Sequence, residues 1–187
     1  MRILDCSRAT FIVAAAMLIT AVSSPASAGL FDLFAPTTRP NQGRTVVVFP
    51  SKLTPGTILV SFRDRRLYYV LPAQRAIAYP IGAPTGDARW SGTTQVSAKK
   101  INPGWTPTGE MRRKNPTLPA FVPGGHPRNP LGVRALYLGS STYCIHGTDA
   151  PWTVGQDVSS GCIRMFNDDV IDLYQRVPIG TQVLVTW

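Results

Sequence analysis

Two short stretches of this 187-residue chain carry side chains able to do covalent chemistry. Ile145-His146-Gly147-Thr148 ends a β-rich run, and Val158-Ser159-Ser160-Gly161-Cys162-Ile163-Arg164-Met165 follows, with Cys162 sixteen residues beyond His146. A cysteine attacks a carbonyl as its thiolate, and an imidazole in reach makes that thiolate by taking the proton. Glycine beside the cysteine lets a substrate backbone approach and frees amide N–H groups to hold an oxyanion; the small serines before it leave room. The chain has only two histidines, so His126 is the single competitor to His146 as base. Two other readings use the same residues. One is ordinary packing of a cysteine beside a strand-end histidine. The other is a metal site, in which Cys144, His146 and Cys162 supply three of the four ligands of a structural zinc, although C-x-x-C spacing is missing.

Such a constellation needs a rigid frame, and the composition makes that frame mostly β. Seventeen prolines and sixteen glycines oppose long helices. A hydrophobic share of 44% against 16% charged excludes a disordered chain. Strand signals cover Thr45–Phe49, Thr57–Phe62, Arg66–Leu71, Ala76–Ile81, Arg134–Leu138, Thr142–His146 and Thr181–Thr186, with hairpin tips at Asp64-Arg65 and Gly139-Ser140-Ser141. One helix is predicted. Asn167 is its N-cap, Asp168 and Asp169 suit the positive end of its dipole, Val170, Leu173, Tyr174 and Val177 form its apolar stripe, and Pro178 stops it. Lys99–Leu131 holds seven prolines and four glycines around Trp105, Met111 and Phe121, which reads as a lid loop.

Residues 1–28 have the parts of a secretory signal: Arg2 and Arg8, an apolar run of thirteen residues from Thr10 to Val22, and Ala26-Ser27-Ala28 before Gly29. The run is short of the ~20 residues that span a bilayer, so cleavage and a periplasmic mature form without a membrane span are expected. Residues 29–54 then form a linker and first strand. Losing Arg2, Arg8 and Asp5 takes the net charge from +9 to +8. Export argues against nucleic acid as the partner of this positive charge and leaves a solvated surface or an anionic envelope polymer. The same compartment exposes Cys144 and Cys162 to oxidising conditions.

His146-Gly147-Thr148, the gap and Ser159-Ser160-Gly161-Cys162-Ile163-Arg164-Met165 together resemble the signature of the L,D-transpeptidases, the YkuD-domain family. The likeness extends over most of Pro55–Trp187 through Pro55-Gly56-Thr57-Ile58-Leu59-Val60, Arg65-Arg66-Leu67-Tyr68, Trp105-Thr106-Pro107, Asn129-Pro130-Leu131-Gly132 and Asn167-Asp168-Asp169-Val170. It implies a β-sandwich-like catalytic domain over 55–187, with a short C-terminal helix and a proline-rich lid. The implied chemistry is acyl transfer on the tetrapeptide stems of peptidoglycan, without metal or organic cofactor. Cys162 maps onto the nucleophile and His146 onto the general base and acid. The Gly147 carbonyl would orient the imidazole, and the backbone around Gly161 would form the oxyanion hole. Carbapenem-type β-lactams would acylate Cys162.

Many family members carry a second histidine two residues before the cysteine, where this chain has Ser160. Ser160 offers a hydroxyl to substrate but no charge, and His126 is a stand-in or an exposed loop residue. Arg164 either holds a stem carboxylate or pairs with Asp168 or Asp169; Trp105 and Trp152 line the cleft or pack; Asp149 and Asp157 are solvated loop charges. The acyl acceptor is an amine of a second stem or of an envelope protein. The alternatives are water, giving an L,D-carboxypeptidase, and a non-catalytic wall-binding module with a Cys144–Cys162 disulfide. Cys144 and His146, two residues apart on a strand, should share a face. Cys144 is expected to be buried, with both thiols reduced.

Overall fold

The computed structural model describes residues 43–187; the expected signal segment and most of the linker lie outside them. Eleven strands follow in chain order: β1 (Thr45–Val48), β2 (Ile58–Ser61), β3 (Arg66–Leu71), β4 (Arg75–Pro80), β5 (Ala83–Pro84), β6 (Gly92–Ile101), β7 (Arg134–Leu138), β8 (Cys144–His146), β9 (Asp157–Ser159), β10 (Ile163–Arg164) and β11 (Gln182–Thr186). Two α-helices join them, α1 (Gly109–Lys114) and α2 (Asn167–Arg176), with 3-10 turns at Gly86–Ala88 and Pro151–Thr153.

β2, β3 and β4 form an antiparallel meander that sets Ile58 against Tyr69 and Leu67 against Tyr79. The turn between β2 and β3 ends on Arg65 at φ 48°, so Asp64-Arg65 does lie at the hairpin tip. Nine strands make one sheet in the order β1-β4-β3-β2-β11-β6-β7-β8-β10, while β5 and β9 pair separately. Ile58, Leu67 and Tyr79 from one half share a single core cluster with Leu136, Ile145 and Ile163 from the other. The sheet therefore curls on itself, and this is the mainly β, sandwich-like fold expected. Val170 and Leu173 of α2 seal the core, their spacing giving the helix one apolar face.

Three elements depart from expectation. The ten-residue β6 is the longest strand, yet it is polar (Thr93, Thr94, Gln95, Ser97, Lys99, Lys100) and fully buries Val96. Its hydrogen bonds run to β11 on one side and β7 on the other, and these fix it as a strand without an apolar alternation. The supposed lid loop accordingly begins inside β6, at Lys99–Ile101, and it contains α1, whose first turn is capped by Thr108. Its two legs are joined where Trp105 and Val122 exchange backbone bonds of 2.8 Å, and buried Asn129 donates to the Pro103 and Pro123 carbonyls. Asn167, finally, is not an N-cap; its side chain is engaged at the site.

Candidate active site

β8 and β10 are parallel neighbours, with Ile163 beside Ile145 and Arg164 beside His146. One residue back along both strands, this register brings Cys162 next to Cys144. Alternate residues share a face of a sheet. Ile145 and Ile163 therefore enter the core with no exposure, while Cys144, His146, Cys162 and Arg164 gather on the other face. The two sulfurs are 3.6 Å apart, and the nearest donor atoms of Cys144, His146 and Cys162 all lie within 4.8 Å of one another. Cys144 is buried and Cys162 partly exposed, both as free thiols.

The loop before Cys162 is held from three directions. Ser159 Oγ donates to the Cys162 carbonyl at 2.5 Å. Trp90 Nε1 donates to the Gly161 carbonyl at 2.9 Å, and its indole stacks on Tyr143 with ring centroids 5.4 Å apart. Gly161 has φ +125°, and the Tyr143 ring fills the space where a Cβ would project, so only glycine fits. Among the described residues, the amides of Gly161 and Cys162 donate to no protein acceptor. They remain able to meet a developing oxyanion.

His146 is buried, and its Nδ1 lies 2.5 Å from the Gly147 carbonyl. A carbonyl can only accept, so Nδ1 carries the proton and the other ring nitrogen keeps its lone pair. The loop after His146 is stapled by Asn167, whose Oδ1 accepts from the Thr148 amide and whose Nδ2 donates to the Thr148 carbonyl, each at 3.0 Å. Gly147 lies so close to Asn167 Oδ1 that a side chain there would collide with it.

Burial, helped by the positive charge of Arg164, pulls the His146 pKa down to about 4, against the carbonyls of Gly147 and Pro130. Its imidazole is therefore neutral at pH 7. A hydrogen bond from the Cys144 thiol holds Cys162 below the ordinary thiol range, in spite of burial; the Cys144 amide and the Arg164 charge add to it. Cys144, as donor in a buried place, moves the opposite way. The site thus sets a thiol more acidic than usual beside a neutral base. The same three donors would suit a thiophilic ion, which would then occupy the sulfur lone pair that nucleophilic attack needs.

Of the sequence-derived residues, Cys162, His146, Gly147, Gly161 and Arg164 come together, and Ser160 is exposed next to Gly161. Arg164 does not pair with Asp168 or Asp169. Its Nη1 donates to Thr153 Oγ1 at 2.8 Å and, among the described residues, its buried Nε has no partner, while Asp169 pairs with Arg44 at 3.1 Å. Asp157 is no solvated charge: it accepts from Arg65 at 3.0 Å and Arg89 at 2.6 Å, tying β9 to the hairpin tip. His126 is exposed and its ring accepts from the Arg128 amide. Trp152 is 70% exposed. Trp105 is half-buried on the proline-rich excursion, and no hydrogen bond among the described residues ties it to the cysteines. Sequence reasoning missed Trp90, Tyr143, the bond from Ser159 to the Cys162 carbonyl and the stapling role of Asn167.

With this geometry in view, comparison with known proteins is informative. The family model of the L,D-transpeptidase catalytic domain (YkuD) matches residues 55–185. The Escherichia coli K12 protein described as probable L,D-transpeptidase YbiS is 40% identical over 143 residues, which is 73% of this chain and 46% of that protein. The chain thus spans about half the length of the curated relatives it matches. A Brucella melitensis chain, solved as a probable carnitine operon oxidoreductase, is 39% identical with a TM-score of 0.53, covering 80% of this chain and 96% of that one. The catalytic domain of the Enterococcus faecium L,D-transpeptidase, solved by NMR, superposes with a TM-score of 0.55 at 20% identity, over 73% of this chain and all of that domain; at that identity the likeness is one of fold.

Proposed function

This chain belongs to the YkuD family of L,D-transpeptidase catalytic domains, and from that premise we propose that it is an exported cysteine acyltransferase acting on peptidoglycan tetrapeptide stems. The observation that carries the reading is the buried, neutral His146 with one ring nitrogen held by Gly147, within 4.8 Å of a partly exposed Cys162.

His146 takes the thiol proton and Cys162 Sγ attacks the carbonyl between the L-centred diamino acid and the terminal D-residue. The amides of Gly161 and Cys162 hold the oxyanion, each such donor contributing about 3 kcal/mol to the transition state. His146 returns the proton to the departing D-residue amine, leaving a thioester on Cys162. An amine of a second stem or of an envelope protein then loses its proton to His146, attacks the thioester and frees the thiol. The guanidinium of Arg164, on the same face as Cys162 and with its charge felt there, suits a carboxylate of the stem. The oxidoreductase description of the Brucella relative names other chemistry. A base beside a nucleophile, with two amides left over, favours acyl transfer.

Mass spectrometry of tetrapeptide stems incubated with the protein tests this. Release of the terminal D-residue with formation of a stem–amine or stem–stem product is expected, and Cys162→Ala should abolish both. Addition of water alone would make the enzyme an L,D-carboxypeptidase, and full turnover by Cys162→Ala would end the proposal.

A further inference from the structure

The mechanism above uses one thiol, yet the strand register delivers two. We infer that Cys144 is a resolving thiol for Cys162: a hydroperoxide converts the pair to a reversible disulfide, which keeps the nucleophile from oxidation to sulfinic or sulfonic acid. The inference does not rest on acyl transfer; it needs the pair alone.

Neighbouring strands lie about 4.8 Å apart, inside the roughly 4.4–6.8 Å Cα separation that a disulfide accepts. Cys144 and Cys162 are lateral neighbours by the register of β8 and β10, and their sulfurs are already 3.6 Å apart. Side-chain rotation toward each other closes the remaining gap to an S–S bond of about 2.05 Å. Accessibility differs between the two: Cys144 is 2% exposed whereas Cys162 is partly open, so a peroxide in solvent meets Cys162 first. The Cys162 thiolate attacks one peroxide oxygen, breaking the O–O bond; with a proton, hydroxide leaves as water and Cys162 becomes a sulfenic acid. The Cys144 sulfur then attacks the Cys162 sulfur, its proton passes by way of His146 to the departing hydroxyl, and a second water leaves. Two thiols and one peroxide thus become one disulfide and two waters. An external dithiol restores the pair through a mixed disulfide, regenerating the nucleophile.

The test treats the purified protein with hydrogen peroxide, alkylates remaining thiols, and maps peptides before and after dithiothreitol. Peptide mapping reads Cys144 and Cys162 separately from Cys6. In the wild type a linked 144–162 peptide should appear, and dithiothreitol should return Cys162 to alkylatable form. In Cys144→Ser and Cys144→Ala, Cys162 should pass to sulfinic and sulfonic acid, with at least tenfold less recovered by dithiothreitol. A wild type that forms no linked peptide, or that loses Cys162 irreversibly as fast as the variants, overturns the inference. Should both variants fail to fold, the wild-type map alone decides between linked peptide and overoxidised Cys162. No stem substrate enters the assay, so its failure is distinct from failure of the acyl-transfer reading.

Discussion

At the scale of single residues, the buried imidazole couples chemistry to stability. An unfolded histidine titrates near 6.5, whereas His146 is pulled down to about 4 by burial and by Arg164. Between those values the unfolded chain binds the extra proton, so stability is full above pH 6.5 and falls as pH drops toward 4. Urea unfolding should show wild type losing about 2–3 kcal/mol more than His146→Gln between pH 7 and pH 4.5; equal losses would mean that this imidazole is not held neutral. Cys162, with its thiol beside a base, should also be acylated once by a carbapenem-type β-lactam, seen as a single adduct in intact mass and absent from Cys162→Ala. Cys162 and His146 were legible as candidates in the sequence because the cysteine lies in a box of small residues at a readable distance from the histidine. Trp90 was not. It acts on Gly161 from 71 residues away, and only the curl of the sheet brings its indole there.

At the scale of elements, the site depends on how two loops are pinned. Asn167 gives up the cap of α2 to make two hydrogen bonds to Thr148, and the helix start thereby fixes the segment that carries His146. Local pattern reading favours a cap because Asn before two aspartates suits one, and it has no access to a partner nineteen residues upstream. Asn167→Ala should cost about 1–3 kcal/mol by leaving both Thr148 groups without their partner, and should lower kcat more than it raises KM. The same limit explains β6, a polar strand specified by its neighbours β7 and β11, whereas apolar β2, β3, β4 and β11 were readable to within a residue or so. The proline-rich excursion is braced at its base by the Trp105–Val122 pair and Asn129, while α1 buries no residue. If the excursion is a lid, replacing Gly109–Lys114 by a short Gly-Ser linker should raise KM for the stem and leave the melting temperature within a few degrees. Loss of folding would make the segment part of the core.

At the scale of the molecule, half of the carboxylates among the described residues are paired, and most of the cations are not. Asp157, Asp169 and Asp172 are engaged by Arg65, Arg89, Arg44 and Arg176. By contrast, Lys52, Arg63, Arg75, Arg112, Arg113 and Arg128 are exposed and form no salt bridge among the described residues. With a net charge of +9 over the whole chain, such a surface attracts polyanions over a distance set by screening, about 8 Å at physiological salt and 3 Å at 1 M. A substrate embedded in an anionic envelope would then be met first through long-range charge and only afterwards through the cleft. Co-sedimentation with purified cell-wall sacculi separates the two contributions, using Cys162→Ala so that turnover does not alter the wall. Raising salt from 0.05 to 1 M should release most of the pelleted protein, and reversing Lys52 and Arg75, exposed and away from the site and the excursion, to glutamate should weaken pelleting at low salt without changing the rate on a soluble stem peptide. Pelleting that ignores salt would place wall recognition in the cleft alone and leave the positive surface as a solvated coat.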